Sequence, residues 1–580
     1  MSSVAADLLA TLGQAFAAEG LSAHFGQVTL SDRPDLCQFQ CNGALAAAKQ
    51  AKANPRAIAE KIAARLKSDA RFARIEIAGP GFINLDLGDA ALGDFLQAPR
   101  DVPINGKTAL IDFGGYNIAK PLHVGHLRSS IIGDCLQRLY RANGWRVISD
   151  VHLGDWGLQM GQLVSEIGLR GLAPVYFDAG FNGPYPDVSP VTMEDLEEIY
   201  PAASAACKAD PARLELARRA TVDLQEGRPG YRALWQHFVT VSQVGLARET
   251  QSLGVSFDYW KGESSVHDLV APMLEDLKAR GFAEISEGAL VMPVAEDSDK
   301  KPMPPLMLVK SEGGMLYGTT DLATIIERVR DFNPDLILYV VDQRQHLHFE
   351  QVFRAARKAG LTGNAVLEHA GFGTMNGPDG KPFKTRAGGV MKLYDLIAMA
   401  TVEANSRLAE QGLGADYTAE EKAEIARQVG LAAIKFADLS NHRATDYIFD
   451  LERFSKFEGK TGPYLQYAAV RIQSILRKAE AEGYAIGIPA IHSPEERALV
   501  LQLLSQADVM IAAELKRAPN ILCDYAFELA QKFSRFYGAH HIMSEPDLAL
   551  RGQRLGTCAR TLAVLREILA LLGIEVPERM

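Results

Sequence analysis

Residues 108–155 read TALIDFGGYNIAKPLHVGHLRSSIIGDCLQRLYRANGWRVISDVHLGD. The run Ala109-Leu110-Ile111 is short and uniformly apolar, as suits a strand buried on both faces of a parallel sheet. A glycine-bearing turn, Gly114-Gly115-Tyr116-Asn117, leads to Lys120-Pro121 and then to His123-Val124-Gly125-His126. From Leu127 the period changes. Ile131, Ile132, Cys135, Leu136, Leu139 and Tyr140 return at three- and four-residue spacing, the mark of a helix with one apolar face. Gly144 ends the pattern just past Asn143, and Val147-Ile148 resumes as a strand. The unit is strand–helix–strand, and the fold class expected is α/β with a doubly wound sheet.

The turn carries chemistry. Two histidines three apart at a helix start project to one side, near the positive end of the helix dipole. Gly125 between them removes a side chain where something must come close. Free amides, two imidazoles and Lys120 together suit a polyphosphate. By itself H-x-G-H would equally be a helix start that happens to carry two polar residues. The strand before it, the helix after it and Lys120 beside it favour the phosphate site.

The whole chain bounds the rest. At 580 residues it exceeds what one core usually supports, so several domains are expected. An apolar fraction of 47% and a charged fraction of 23% are ordinary for globular protein. Asp7 and Glu19 interrupt the first apolar pattern, which reads as an amphipathic helix and not a signal peptide. No uninterrupted apolar run of membrane-spanning length is expected, so a chain without a membrane partner, in the cytoplasm, is the expectation. The net charge of −10 argues against nucleic acid, but its distribution does not. Residues 1–100 hold ten basic and ten acidic groups and residues 455–580 fifteen and fourteen, which leaves the acid excess in the middle. The six cysteines (Cys37, Cys41, Cys135, Cys207, Cys523 and Cys558) lie among apolar residues. Only Cys37 and Cys41 are close, so buried reduced thiols and no structural metal are expected.

Three domains follow from the composition shifts. Residues 1–102 show helix patterns at Val4–Glu19 and Pro55–Leu66 and strand-like runs at Val28–Leu30, Arg74–Ile77 and Phe82–Leu87, with Gly79-Pro80-Gly81 as a tight turn. Ala98–Pro103 is the linker. Residues 103–450 hold the α/β unit, interrupted at about 171–260 by an insertion that is first Gly-, Pro- and aromatic-rich and then helical. Leu306–Val309 and Leu336–Val341 restore the sheet, and between them Tyr317-Gly318-Thr319-Thr320-Asp321 opens a helix. Tyr317 and Asp321 share a face if that helix begins by Tyr317. The basic, glycine-flanked loop from Gly377 to Gly389 suits a leaving pyrophosphate, although such loops are also common surface features. Residues 451–580 are helical, with patterns at Ala468–Ala479, Pro494–Leu515, Pro519–His540 and Asp547–Leu572. The aromatic–basic run Phe533–Tyr537 could stack on unpaired bases or simply line a helical bundle.

The stretch N-I-A-K-P-L-H-V-G-H-L-R-S resembles the class I aminoacyl-tRNA synthetase signature in its arginyl form. Where that family usually has Ser-Pro or Ala-Pro before the Asn, this chain has Gly115-Tyr116, which alters the turn. Y-x-T-x-D at Tyr317–Asp321, the loop around Lys384 (a degenerate lysine loop without K-M-S-K-S) and the ends of the chain, including Phe39–Gly43 and Leu571–Met580, carry the resemblance over the whole length.

The resemblance implies a Rossmann-like catalytic domain, an α+β N-terminal domain on the tRNA elbow and an all-α anticodon-binding bundle. It implies ATP, with Mg2+, at His123, Gly125, His126, Lys384 and Arg386, with His123, His126, Lys120 and Lys384 catalytic. It places arginine against Asp112, Asn117, His123, Tyr317, Asp321 and Gln345, and tRNA against Asn42, Tyr464, Tyr467 and Tyr537. A monomer that acts on arginine, ATP and tRNA, activating arginine only with tRNA bound, is the expectation. The alternatives are a small-molecule nucleotidyltransferase, which has no need of two flanking domains, and a tRNA-binding protein without chemistry, against which both histidines and the basic loop stand.

Overall fold

Thr108–Phe113 (β1) is the buried strand that the apolar run predicts, and every residue after Thr108 is shielded from solvent. The computed structural model describes residues 3–580 apart from 32, 34, 35, 98–103, 312–314, 378, 382–390 and 415. The chain divides into two compact units, one of Ile104–Leu408 with Ala433–Ser455, the other of Met1–Pro103, Ala409–Ala432 and Lys456–Met580.

In the first unit, β1 is followed by the helix Val124–Ala142 (α1), the strand Arg146–Asp150 (β2), the helix Tyr317–Phe332 (α2), the strand Leu336–Val340 (β3), the helix His346–Ala359 (α3) and the strand Val366–His369 (β4). The sheet order is β2-β1-β3-β4 and all pairs are parallel. Leu110 of β1 sits in register between Ile148 and Ile337, and these join Leu322, Ile325, Phe349 and Phe353 in one core. That double burial explains why the strands read as continuous apolar runs. After β1 the chain moves one way to β2 and then returns to the other side of β1 to form β3. The crevice beyond the carboxyl ends of β1 and β3 is thus a topological switch point, where such sheets bind ligands.

Between β2 and β3 the chain makes a long excursion. It includes helices at Leu158–Leu169, Met193–Ala209, Pro211–Gln225, Pro229–Ser252 and His267–Ala279. An antiparallel sheet of Glu284–Ser286, Ala289–Met292 and Leu306–Val309 follows, so Leu306–Val309, expected to restore the parallel sheet, pairs with this hairpin instead. The chain returns beside β2, where Asp150 bridges Tyr259 and Leu153 bridges Gly262.

In the second unit, Val28–Leu30, Phe39–Cys41, Phe82–Leu87 and Phe72–Ala78 form an antiparallel sheet in that order. The helix Asp89–Gln97 packs on Pro494–Leu504 of the C-terminal helices, and Arg497 bonds to the Asp89 carboxylate and, at 2.7 Å, to the Leu87 carbonyl. The Ser3 hydroxyl bonds to Asp508. One reading needs correction here. The helix expected over Pro494–Leu515 breaks at Ser505 into Pro494–Leu504 and Gln506–Lys516. An 18-residue window within Pro494–Lys516, with a mean hydropathy of 1.5, is long and apolar enough to cross a membrane by those measures alone. Half of that window is buried in the bundle, and Asp508 and Glu514 lie within Pro494–Lys516.

Candidate active site

The turn after β1 places the histidines. Gly114 and Gly115 both have left-handed backbone (φ 94° and 61°), a conformation that a Cβ resists. Their N–H and side-chain neighbours are fixed from α1: the Gly114 N–H donates to Ser129 Oγ at 2.7 Å, and Ser129 donates to the Val340 carbonyl at the end of β3. Tyr116, the departure from the family pattern, is fully buried. Its hydroxyl lies 2.7 Å from Ser130 Oγ, and its ring meets His126 edge-on at 5.5 Å. It fills the space beneath the second histidine together with Phe257 and Trp260.

His123 is the N-cap of α1, and the two imidazoles complete a capping box. His123 Nδ1 accepts from the Gly125 N–H at 3.1 Å, and His126 Nδ1 accepts from the His123 N–H at 3.2 Å. Their rings stack with centroids 3.9 Å apart. A Cβ at position 125 would come within 2.9 Å of the His123 ring, so this glycine serves the histidine as well as any ligand. Burial, then the neighbouring His123 and Lys120, pushes His126 down to about 3, and burial and Lys120 lower His123. Both rings are neutral at pH 7. With each Nδ1 accepting a backbone proton, each ring hydrogen is on Nε2. The two imidazole donors expected from the sequence are therefore one per ring, the Nε2–H that an anion can take. Lys120 Nζ lies 4.6 Å from the Tyr200 ring centre. The far side of the turn is stitched to the segment after residue 390: Val124 N–H donates to the Met391 carbonyl, and Leu393 N–H to the Leu122 carbonyl.

Deleting one of these donors gives a clear expectation. On the chemistry that the resemblance implies, His126→Ala should lower kcat for adenylate formation by roughly 10²–10³-fold, the usual effect of losing one preorganised donor. Arginine KM should move little, and single-turnover adenylate formation would measure both.

The other predicted residues take distinct places. Asn117 bridges Gly154 just beyond β1 and β2. Tyr317 opens α2, so Tyr317 and Asp321 do lie one turn apart on it, and Tyr317 is 72% exposed. Asp321 Oδ2 is 2.6 Å from His348 Nε2. Gln345 is exposed at the turn that follows β3. Asp112 is buried at the end of β1 and accepts from Arg328 Nη2 at 2.6 Å, while Asp150 accepts from the same nitrogen at 3.0 Å. Lys384 and Arg386 lie outside the described residues. In the other unit Asn42 is exposed at a helix start. There too the Arg471 guanidinium lies 4.4 Å from the Tyr537 ring centre, Tyr464 packs against Phe527, and Tyr467 is 39% exposed.

Sequence reasoning missed Glu263. Its backbone N–H donates to the Leu153 carbonyl, next to Gly154, and its carboxyl is pushed up to about 8 by burial and by the charges of Asp155 and Asp321. Only the chain's return beside β2 brings it there, a contact no local pattern reports. Among the described residues no group of three His, Cys, Asp or Glu is arranged to hold a metal ion. The six cysteines are buried and none is joined in a disulfide.

Known proteins show the same plan. Residues 97–451 match the family model of tRNA synthetases class I (R), catalytic domain. Residues 3–87 match the arginyl tRNA synthetase N-terminal domain, and residues 465–580 the DALR anticodon binding domain. The arginine–tRNA ligases of Maricaulis maris and Hyphomonas neptunium are each 53% identical to the chain, with 100% of both chains covered. Arginyl-tRNA synthetase structures from Plasmodium falciparum (TM-score 0.81, 24% identity) and Thermus thermophilus (TM-score 0.80, 23% identity) cover 100% of both chains, a likeness of fold. With a catalytic-domain model matched over more than half its length and full-length relatives above half identity, the chain belongs to the arginyl-tRNA synthetases, within class I of the aminoacyl-tRNA synthetases.

Proposed function

We infer that the chain is an arginine–tRNA ligase that forms AMP. ATP, carrying its magnesium on the phosphates, meets the two neutral Nε2–H donors at the start of α1. The arginine carboxylate attacks the α-phosphate in line, the bond to the β-phosphate breaks, and pyrophosphate leaves. A hydroxyl of the 3′-terminal ribose of tRNA, the 2′ one if the class I pattern holds, then attacks the arginyl carbonyl and AMP departs. No protein nucleophile is needed, since positioning and charge stabilisation supply the catalysis.

The observation that carries this reading is the carboxyl of Glu263, whose proton affinity is raised by burial and then by the charges of Asp155 and Asp321 beside the switch point. Carboxyl groups crowded in this way favour a cation. A guanidinium, with five N–H donors in a plane, can meet both Asp321 and Glu263. Tyr317, Asn117 and Gln345 complete the proposed pocket. Asp112 is assigned differently from the sequence expectation: its carboxylate already holds Arg328, so it supports the pocket from behind. Asn42, Tyr464, Tyr467 and Tyr537 are proposed tRNA contacts, with Arg471 added beside Tyr537.

Arginine-dependent exchange of pyrophosphate into ATP tests the function. Exchange should be weak without tRNA, strong with it, and should lose its stimulation as salt rises, because phosphate contacts weaken with counterion concentration. A preparation that binds tRNA yet shows no exchange would leave only a tRNA-binding protein. Full exchange in a preparation free of RNA would remove the dependence on tRNA.

A further inference from the structure

Asp321 has a partner on the neighbouring helix. His348, in the first turn of α3, reaches across to α2 and bonds through Nε2 to Asp321 Oδ2 at 2.6 Å, with the two side chains 31% and 24% exposed. No other side-chain hydrogen bond to that carboxylate is seen among the described residues, which leaves Oδ1 open.

The remaining charges around His348 are engaged elsewhere. On its own helix His346 stacks toward His369, and Glu350 pairs with Arg354. On the turn before it Arg344 pairs with Asp342, and on β4 His369 Nε2 lies 3.0 Å from the Val341 carbonyl. The strand Leu306–Val309 brings no ionisable side chain. On α2, Glu327 pairs with Lys261 and Arg328 with Asp112 and Asp150. Asp321 is therefore the charge that governs His348, and Asp321 in turn acts on Glu263 and Tyr317.

Resting on the reading that Asp321 meets the substrate guanidinium, we propose that His348 is a positioning residue for arginine. Its Nε2–H fixes the Asp321 carboxylate and presents Oδ1 to the ligand, and the imidazolium releases its Nδ1 proton to solvent as the guanidinium arrives. The bond to Asp321 is the first cause that raises the proton affinity of His348 in the empty site. A second cation on the same carboxylate removes that support. Protonated His348 favours the empty pocket, so arginine affinity rises with pH through the titration of His348 and binding expels a proton. Glu263, at about 8, adds a release of the same sign at higher pH.

The test is calorimetry of arginine binding to the full chain with tRNA present, at pH 6.5, in two buffers of different ionisation enthalpy. His348→Gln keeps an N–H donor toward Asp321 but cannot titrate. It should release fewer protons per arginine than the wild type, by about half a proton. Its arginine KM should stay within about threefold, whereas His348→Ala, which leaves Asp321 unheld, should raise KM about tenfold with kcat unchanged. An unaltered proton count in His348→Gln, or an unaltered KM in His348→Ala, would overturn the proposal. If the alanine variant does not fold, the proton count of the glutamine variant decides. Asp321→Asn separates the two ideas. Wild-type arginine affinity in that variant removes the pocket reading itself, whereas lost affinity beside indifferent His348 variants removes only the role of His348.

Discussion

Changing Asp321 to alanine should collapse the preference for arginine over citrulline. Citrulline has nearly the same shape but no charge, and in the wild type it would leave Asp321 and Glu263 facing a neutral urea. A site built on buried polar partners rejects such an analogue by about 10⁴-fold in kcat/KM, because its own groups are left unpaired. Without the Asp321 carboxylate, most of that discrimination should go, and arginine activation should fall with it. Parallel exchange assays with the two amino acids measure the ratio. Efficient use of citrulline by the wild type, or a variant that keeps the full preference, would exclude Asp321 as the selecting group.

Arg328→Ala should destabilise the catalytic unit by about 3–5 kcal/mol, the cost of breaking a buried ion pair from one side. Arg328 is 1% exposed, and one of its nitrogens serves both Asp112 and Asp150, while its Nε and Nη1 have no hydrogen-bond partner among the described residues. The Tyr339 ring lies 5.4 Å from its guanidinium carbon. Although burial opposes it, Arg328 and then His152 hold Asp150 below the usual carboxylate range. Removing the arginine strands two buried carboxylates, so adding Asp112→Asn and Asp150→Asn should restore part of the loss. Urea unfolding of the three proteins measures this. An Arg328→Ala protein as stable as the wild type would mean that the aspartates are already neutral.

These two expectations differ in how far the sequence supports them. The strand at Thr108–Phe113, the helix starting at the histidines and the helix opening at Tyr317 were all legible, because each is announced by a local change of apolar period with a glycine or cap at its edge. The capping box between His123 and His126 spans three residues and is local too, yet no general pattern uses histidine in both capping roles. Arg328 reads as one more charge on a helix. Its partners are 216 and 178 positions away, and nothing in the periodicity marks it as buried. Glu263 and His348 are hidden in the same way. The break at Ser505 escaped because the apolar pattern on either side of it continues without a glycine or proline.

The first and last parts of the chain hold one another. Ser3 bonds to a residue 505 positions on, and Arg497 reaches back 408 positions to Asp89. On a ribosome, at 5–20 residues per second, the N-terminal sheet would therefore wait about 20–80 s for that surface to emerge. Until then the side of Asp89–Gln97 carrying Ala91, Leu92 and Leu96, buried in the finished molecule, has no bundle to meet. The nascent N-terminal domain is thus the part of this protein most exposed to wrong partners during synthesis. Cutting it off later would also remove ties from the C-terminal helices, so a truncation meant to isolate either part would disturb both.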